Sequence, residues 1–538
     1  MRQASFPREF DYIIVGGGSS GCVLANRLSA DPRNQVCLIE EGGSDNTPRI
    51  QIPAGTLTLY KSCKLAYQFF SVPQADLDNR RIHVPRGRGL GGSSIMNSMI
   101  YIRGERSDYD GWAAQGCTGW DYDSVLKYFM KSEHDCLGLD PRFHGTGGEL
   151  DVTTPREANP LSRMFIKAAE QVGQKENPDF NGNTFEGVGI YNVTQRDGKR
   201  LSAYRAFVHP VRNRPNLHIL TGMTVKSLIT RQNTVLGVNV VHGEQQFGLF
   251  AQRETVLSAG AIGSPVILMA SGIGRGNDLV GAGISVIHEL QGVGQNLQDH
   301  VDGLVTVRSD EARSLGFSWR SLPAVLSSPH KYALWRKGWL TTNYVEAGGF
   351  ARTPLADGVP DVQFHFVPGF RSHRGRLFEM GHGFAIHTCV LRPRSRGEIR
   401  LGQNGMQDIQ IDFRFLQDPR DGQVLKEGIC LARKILAAPI FDGIRGREMA
   451  PGQDIVTDDE LMAYIRRGAS TVFHPAGTCR MGTDADAVVT PDLKVRGMTG
   501  LRIADASIMP TLVSGNTNAP CIMIAEKAAD MILSDRQR

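Results

Sequence analysis

Apolar and polar positions along this chain follow two rhythms, and the points where one gives way to the other mark its first elements. Asp11 to Val15 (DYIIV) is a short apolar run with the length of a buried strand. Residues 16–21 (GGGSSG) turn the chain, and CVLANRL then carries apolar residues at helical spacing until Asp31-Pro32 ends it. Gln35 to Ile39 (QVCLI) predicts a second strand, ending in Glu40. Glu254 to Ser258 (ETVLS) predicts another, followed by AGAIG, with Ser264 as N-cap and Pro265 as first residue of a helix through Ala270. Leu501 to Ala504 (LRIA) predicts a strand running into Asp505. Ala519 to Ile532 predicts a helix with apolar residues at 522, 524, 525, 528 and 532. Val256 to Gly274 is uncharged and long enough for a membrane span, but its glycines, serines and Pro265 fit strand, turn and buried helix better. Glycines placed between strands and helices predict an α/β fold.

Composition narrows this picture. Hydrophobic residues at 41% and charged residues at 21% exclude a disordered chain, and 61 Gly with 26 Pro exclude a long coiled coil. The 538 residues leave room for roughly two to four domains. A net charge of +5 without a clustered basic patch predicts no nucleic-acid partner. Nine cysteines, an odd number with no CxxC pair, predict neither a disulfide framework nor a metal site, and fit a reducing compartment. MRQASFPREF lacks the apolar core of a secretion signal, so a cytoplasmic location is expected.

The first strand, turn and helix carry GxGxxG at Gly16, Gly18 and Gly21, with the acid Glu40 about 20 residues on. Gly16 permits the tight turn, Gly18 a close pyrophosphate, and Gly21 the packing of helix on strand. The helix N-terminus then faces the phosphates, and Glu40 can accept from ribose hydroxyls. This fingerprint does not separate NAD from FAD, and Gly292-Val293-Gly294 lacks the third glycine of a second one. Pro85 to Asn97 (PRGRGLGGSSIMN) offers backbone N–H groups for a phosphate or flavin, or is a surface loop. Asp505 either binds a sugar hydroxyl or caps a helix.

Together these motifs resemble the glucose-methanol-choline (GMC) flavoenzyme family along nearly the whole chain. GRGLGGSSIMNSMIYIRG (Gly87 to Gly104) and GAIGSPVILMASGIG (Gly260 to Gly274) are similar to its two signatures. GVGQNLQDH (Gly292 to His300), HPAGTCRMG (His474 to Gly482) and SGNTNAP (Ser514 to Pro520) are similar to further family motifs. TTNYVEAGGF (Thr341 to Phe350) and LRPRSRGEIRL (Leu391 to Leu401) look like the bacterial aliphatic-alcohol and choline dehydrogenase branch. The resemblance implies a Rossmann-type FAD-binding domain built from 1–156, 198–310 and 466–538, with an inserted α+β substrate domain from 157–197 and 311–465. It implies FAD on Gly16, Gly18, Gly21, Glu40, Gly91, Ser93, Asn97, Met99, Val225, Asp505 and Ala506, and an active-site pair of His474 and Asn518. Some members attach FAD through a histidine of the first signature. Met96 stands there, so non-covalent FAD is expected.

The expected reaction is oxidation of a primary alcohol to an aldehyde by hydride transfer to flavin N5. Such a step needs a base for the hydroxyl proton, and histidine titrates in the useful range. His474 is stiffened by the following Pro475, which suits a base and equally a structural turn. Asn518, at a helix start, either orients the alcohol oxygen or caps the helix. His83, His144, His300 and His365 have no identifiable partner and read as structural. Glu346 either binds a cationic substrate such as choline or is a structural acid. The electron acceptor is a quinone or another carrier, or O2 in an alcohol oxidase of the same family; a hydroxynitrile lyase would use FAD without redox turnover. Residues 312–345 hold Arg313, Arg320, Lys331, Arg336, Lys337 and three of the five Trp, with no acid. They read as a peripheral membrane contact, with Arg336 and Lys337 as the charges to test, or as a substrate entrance.

Overall fold

In the computed structural model, which describes residues 6–370 and 380–536, DYIIV is the core of a strand, Glu9–Val15. The first five residues of the N-terminal reading lie outside the described residues. The GGGSSG turn leads into the helix Ser19–Leu28, and the second strand is Val36–Glu40. Both strands are nearly continuous runs of buried residues, as a sheet covered on both faces requires. Glu9–Val15 pairs in parallel with Val36–Glu40 on one side and Gln245–Leu257 on the other. Leu217–Thr221 extends the sheet beyond Val36–Glu40, and Leu501–Ile503 joins beside Gln245–Leu257. Thr224–Arg231 and Thr234–His242 complete seven strands as an antiparallel ribbon. The helix Ser19–Leu28 lies under the C-terminal helix Asn518–Asp535, to which Arg27 is tied through Glu526.

A second seven-stranded sheet is antiparallel and contains Gly187–Ile190, Val301–Ser309, Ala347–Ala351, Val362–Val367, His382–Val390, Glu448–Ala450 and Ser470–Thr471. The helices Pro160–Gln171 and Pro419–Leu436 pack on it. The chain is therefore α/β, a doubly wound sheet with a second α+β unit threaded into it. The expected boundary at 310 needs correction. Val301–Ser309 pairs along its length with His382–Val390, so the crossing into the second unit falls at about residue 300. Ser470–Thr471, from the expected cofactor segment 466–538, also pairs with Val301–Ser309. A strand buried on both faces suits either sheet, and its own pattern does not choose.

The helix expected to begin at Pro265 starts five residues earlier, as Gly260–Ala270, with Pro265 inside it. Proline has no N–H for the carbonyl four residues back, which here is Ala261. Thr478 Oγ1 donates to that carbonyl at 2.6 Å, so a distant side chain replaces the missing donor. Ser264 is not a cap; its Oγ donates to Asp505 Oδ2 at 2.6 Å.

Candidate active site

The loops after the first strand close on one another through glycines. A Cβ on Gly21 would lie 1.9 Å from the Gly16 carbonyl oxygen, and one on Gly92 2.6 Å from Gly18 Cα. Only glycine lets the signature loop Gly87 to Gly104 reach the first turn so closely. Between them opens a cavity of about 420 Å³ lined by Gly16, Gly18, Glu40, Val225, Gly260, Asp505 and Ala506. Gly18, in extended conformation, precedes the helix Ser19–Leu28 without any side-chain cap, so the first N–H groups of that helix remain available to an anion. Glu40 accepts the Gly17 N–H at 2.9 Å and the Gly42 N–H at 2.8 Å, and burial raises its pKa to about 7. Asp505 is committed to the protein. Its Oδ2 accepts from the Gly260 N–H and Ser264 Oγ, and its Oδ1 from the Ser507 N–H, which is the capping alternative.

A second cavity of about 350 Å³ shares Ser19, Arg86, Ser93, Thr517 and Cys521 with the first. His474 stands in its wall. Its Nε2 receives the Asn516 Nδ2–H at 3.2 Å, and its Nδ1 lies 3.0 Å from His300 Nδ1. Asp299 holds both histidines by the backbone, accepting the His300 N–H at 2.8 Å and the His474 N–H at 2.9 Å. Burial, then His300, His365 and Arg86, hold the His474 pKa well below the usual 6.5. Burial takes His300 and His365 down to about 3. The group is therefore a cluster of neutral imidazoles. Apolar walls come from Tyr60, Met96, Ile100, Val345, Val367 and Phe473, and Asp302 faces the cavity with its Oδ2 2.8 Å from His387 Nδ1.

Two family profiles, both described as GMC oxidoreductase, match residues 10–302 and 393–525. The chain belongs to the GMC oxidoreductase family. This oxidoreductase is 44% identical over 527 residues to an alcohol dehydrogenase [acceptor] of Pseudomonas putida, covering 97% of this chain and 96% of that one. It is 38% identical over 533 residues to an oxygen-dependent choline dehydrogenase of Vibrio vulnificus, covering 98% and 94%. Among solved structures it superposes on pyridoxine 4-oxidase from Mesorbium loti with a TM-score of 0.88 at 33% identity, covering 97% and 98%. A formate oxidase of Aspergillus oryzae gives 0.91 at 27% identity, covering 99% and 100%.

GMC oxidoreductases are FAD-dependent, and the paired cavities of this oxidoreductase fit that cofactor. An uncapped helix N-terminus, a buried acid and two glycine loops form one end, and a histidine cluster forms the other. Gly91 donates its N–H to the Gly17 carbonyl at 2.7 Å, which fixes the two loops together. Ser93 lines both cavities, and Asn97 and Met99 line the histidine cavity. Asn97 Oδ1 accepts from Arg200 at 2.8 Å and from the Met99 N–H at 3.1 Å.

The expected partner of His474 was Asn518. Asn518 also lines the cavity, at the start of the helix Asn518–Asp535, but its Oδ1 accepts from Ser19 Oγ at 2.7 Å. The residue hydrogen-bonded to His474 is Asn516, two positions earlier. His300, read as structural, touches His474. His144 is held between Glu133 and Asp179, His83 faces Gln68, and His365 lines the cavity. Glu346 accepts from the Asn159 N–H, Ser162 Oγ and Thr342 Oγ1 and is not part of the cavity wall. The first asparagine of SGNTNAP and the histidine ending GVGQNLQDH were the available signals; that His300 meets His474 is set by a contact spanning 174 residues.

Proposed function

We propose that the chain oxidises a primary alcohol to an aldehyde, with non-covalently held FAD and with His474 as the base. The observation that carries this reading is the Nε2 edge of a buried, neutral histidine facing a cavity continuous with the glycine-lined cleft. Bound FAD would supply the hydride acceptor at flavin N5. The residues of the chain prepare the alcohol. Carbon gives up hydride only as the hydroxyl proton is withdrawn, and His474 Nε2 is placed to take it. Asn516 can donate its amide N–H to the substrate oxygen and hold it beside Nε2. The apolar walls exclude water from the developing charge and suit an alcohol with an apolar body. Glu346, held by Asn159, Ser162 and Thr342 outside the cavity wall, is not in reach of a cationic substrate there. The test is anaerobic addition of a panel of primary alcohols: flavin absorbance should bleach, and flavin left oxidised by all of them would sink the reading. Bleaching also separates it from a lyase, which needs no reduced flavin.

Met96 lines the cavity where some relatives carry a linking histidine, and a thioether cannot form that bond. Acid precipitation should therefore leave yellow FAD in the supernatant. Flavin retained by the denatured pellet would show a covalent link.

The acceptor in this reading is a quinone or comparable carrier, reduced faster than O2, met at the inner face of a membrane through residues 312–345. Among the described residues no helix is long and apolar enough to cross a membrane. The helix Leu322–Trp335, however, buries only Ser328 and Tyr332. Trp319 is 90% exposed and Leu326 70%, with Leu322, Leu334 and Trp335 beside them. The turn Trp339–Thr341 packs on Pro53–Gly55, next to Thr56, Leu57 and Tyr60 of the cavity wall. A bilayer touching this surface would lie near the cavity. Arg336 is half-buried with its guanidinium 4.7 Å from the Tyr332 ring, so Lys331 and Lys337 replace it as the charges to test. Anionic liposomes should bind the protein at low salt and release it as salt rises, because screening acts over about 8–10 Å near physiological ionic strength. Lys331→Glu with Lys337→Glu should weaken binding. Failure to bind at any salt removes the membrane contact and leaves the alcohol chemistry intact.

A further inference from the structure

Two neutral imidazoles that meet through Nδ1 pose a question of hydrogen bookkeeping. His300 and His474 approach edge to face, their ring planes 88° apart and their Nδ1 atoms 3.0 Å apart. With both rings neutral, one Nδ1 carries the hydrogen and the other accepts it. The choice decides whether His474 shows the active cavity a lone pair or an N–H.

The neighbours settle which. His300 is wholly buried, and the backbone carbonyls of Leu391 and Val513 lie near its ring without a hydrogen bond to Nε2. Carbonyls only accept, which favours hydrogen on Nε2 and leaves the lone pair on Nδ1. His474 then donates from Nδ1, and its Nε2 is bare. The far side agrees. Asn516 Oδ1 accepts from Gln363 Nε2 at 3.2 Å, which turns its amide N–H toward His474 Nε2. Gln363 is itself oriented, its Nε2 3.3 Å from Tyr191 Oη and its Oε1 accepting from the Cys389 thiol. Tyr191 Oη donates to the Phe364 carbonyl at 2.6 Å, so it accepts from Gln363. With the opposite tautomer, two N–H groups would face each other between His474 and Asn516. The hydrogen bonds from His300 Nδ1 to the Phe364 carbonyl fit one pattern.

We infer that His300 is a positioning residue that fixes His474 in the Nδ1–H tautomer and so keeps a bare Nε2 facing the substrate. The inference rests on the reading of His474 as base, and it extends that reading to a residue that meets neither cavity wall. It also gives Asp299 a function. By accepting both backbone N–H groups and the Thr471 hydroxyl, this carboxylate sets the spacing of the two rings.

The test has two arms on holoenzyme with checked FAD content and melting temperature. In the first, 15N spectra of protein labelled at histidine report which nitrogen of His474 carries hydrogen, with His474→Ala used for assignment. Wild type should show hydrogen on Nδ1. His300→Leu, which removes the acceptor, should show a mixture or hydrogen on Nε2. In the second, anaerobic flavin reduction by an alcohol is followed from pH 6 to pH 9. His300→Leu should be slower by about tenfold or more, as expected when a base presents the wrong tautomer. His300→Asn, whose Oδ1 can accept near the position of Nδ1, should recover most of that loss. The titratable and charged groups facing His474 are His300, His365, Arg86 and Asp299, and the last three are unchanged in both variants. Wild-type protein with hydrogen on His474 Nε2 overturns the inference. So does an equal loss in His300→Leu and His300→Asn. If His474→Ala reduces flavin at the wild-type rate while the tautomer is as described, the reading of the base fails and the tautomer assignment survives.

Discussion

His474→Ala is expected to slow flavin reduction by an alcohol by at least about 10²-fold, the lower end of what a positioned base contributes. The side chain makes two hydrogen-bond contacts, to His300 and Asn516, and its backbone N–H to Asp299 survives the change. FAD content and melting temperature should stay close to wild type, so the loss will be one of rate. Asn516→Ala should lose less, about tenfold, the worth of one orienting hydrogen bond. Because His474 is held neutral by burial and its cationic neighbour Arg86, flavin reduction should show no loss of rate between about pH 8 and pH 6, where an ordinary histidine begins to protonate. Flavin reduction by His474→Ala at the wild-type rate would remove it as the base.

Glu133→Gln is expected to cost about 3–5 kcal/mol of stability, the usual penalty for breaking a buried ion pair from one side. Arg103 and Glu133 are both fully buried, 2.7 Å apart. Arg103 is the next-to-last residue of the signature loop Gly87 to Gly104, and it also donates to the Phe143 carbonyl at 2.6 Å. His144 bridges Glu133 to Asp179 with 3.0 Å contacts at both nitrogens. Burial opposes its charge, but Asp179 and Glu133 prevail and raise its pKa to about 9. A histidine whose folded pKa is raised stabilises most below its unfolded value near 6.5 and loses that contribution as pH climbs through about 9. Wild-type stability should therefore decline across that window, and Glu133→Gln should flatten the decline. Urea denaturation at pH 6 and pH 9 measures both effects. An unchanged midpoint in Glu133→Gln would mean the cluster contributes nothing net.

The parts of the site that lie close together along the chain were legible in it. Gly16, Gly18, Gly21 and Glu40 share one strand–helix–strand unit, and their spacing alone implies the turn, the packing and the acid. The parts assembled from afar were not. Ser264 looks like a cap because Pro265 lacks the N–H a helix interior uses, and only Thr478 shows how the helix tolerates it. Asn516 and Asn518 are chemically identical and two residues apart. The start of the last helix gives one to Ser19 and the other to His474, a choice no local pattern encodes. Glu346 and Asp302 differ in the same way: both are buried acids, and only the pairing of Val301–Ser309 with the second sheet brings Asp302 to the cavity.

The strand Leu501–Ile503 and the helix that roofs Ser19–Leu28 leave the ribosome long after the first helix does. At about 5–20 residues per second, the apolar surface of that first helix waits on the order of half a minute to two minutes for its cover. The aggregation hazard during translation thus falls on residues 9–40, the strand–helix–strand unit beside the glycine-lined cavity. The glycine-lined cavity is likewise complete only once Asp505 and Ala506 have been made, because both stand in its wall. Cellular yield will accordingly depend on how well nascent residues 9–40 are sheltered as much as on the supply of FAD.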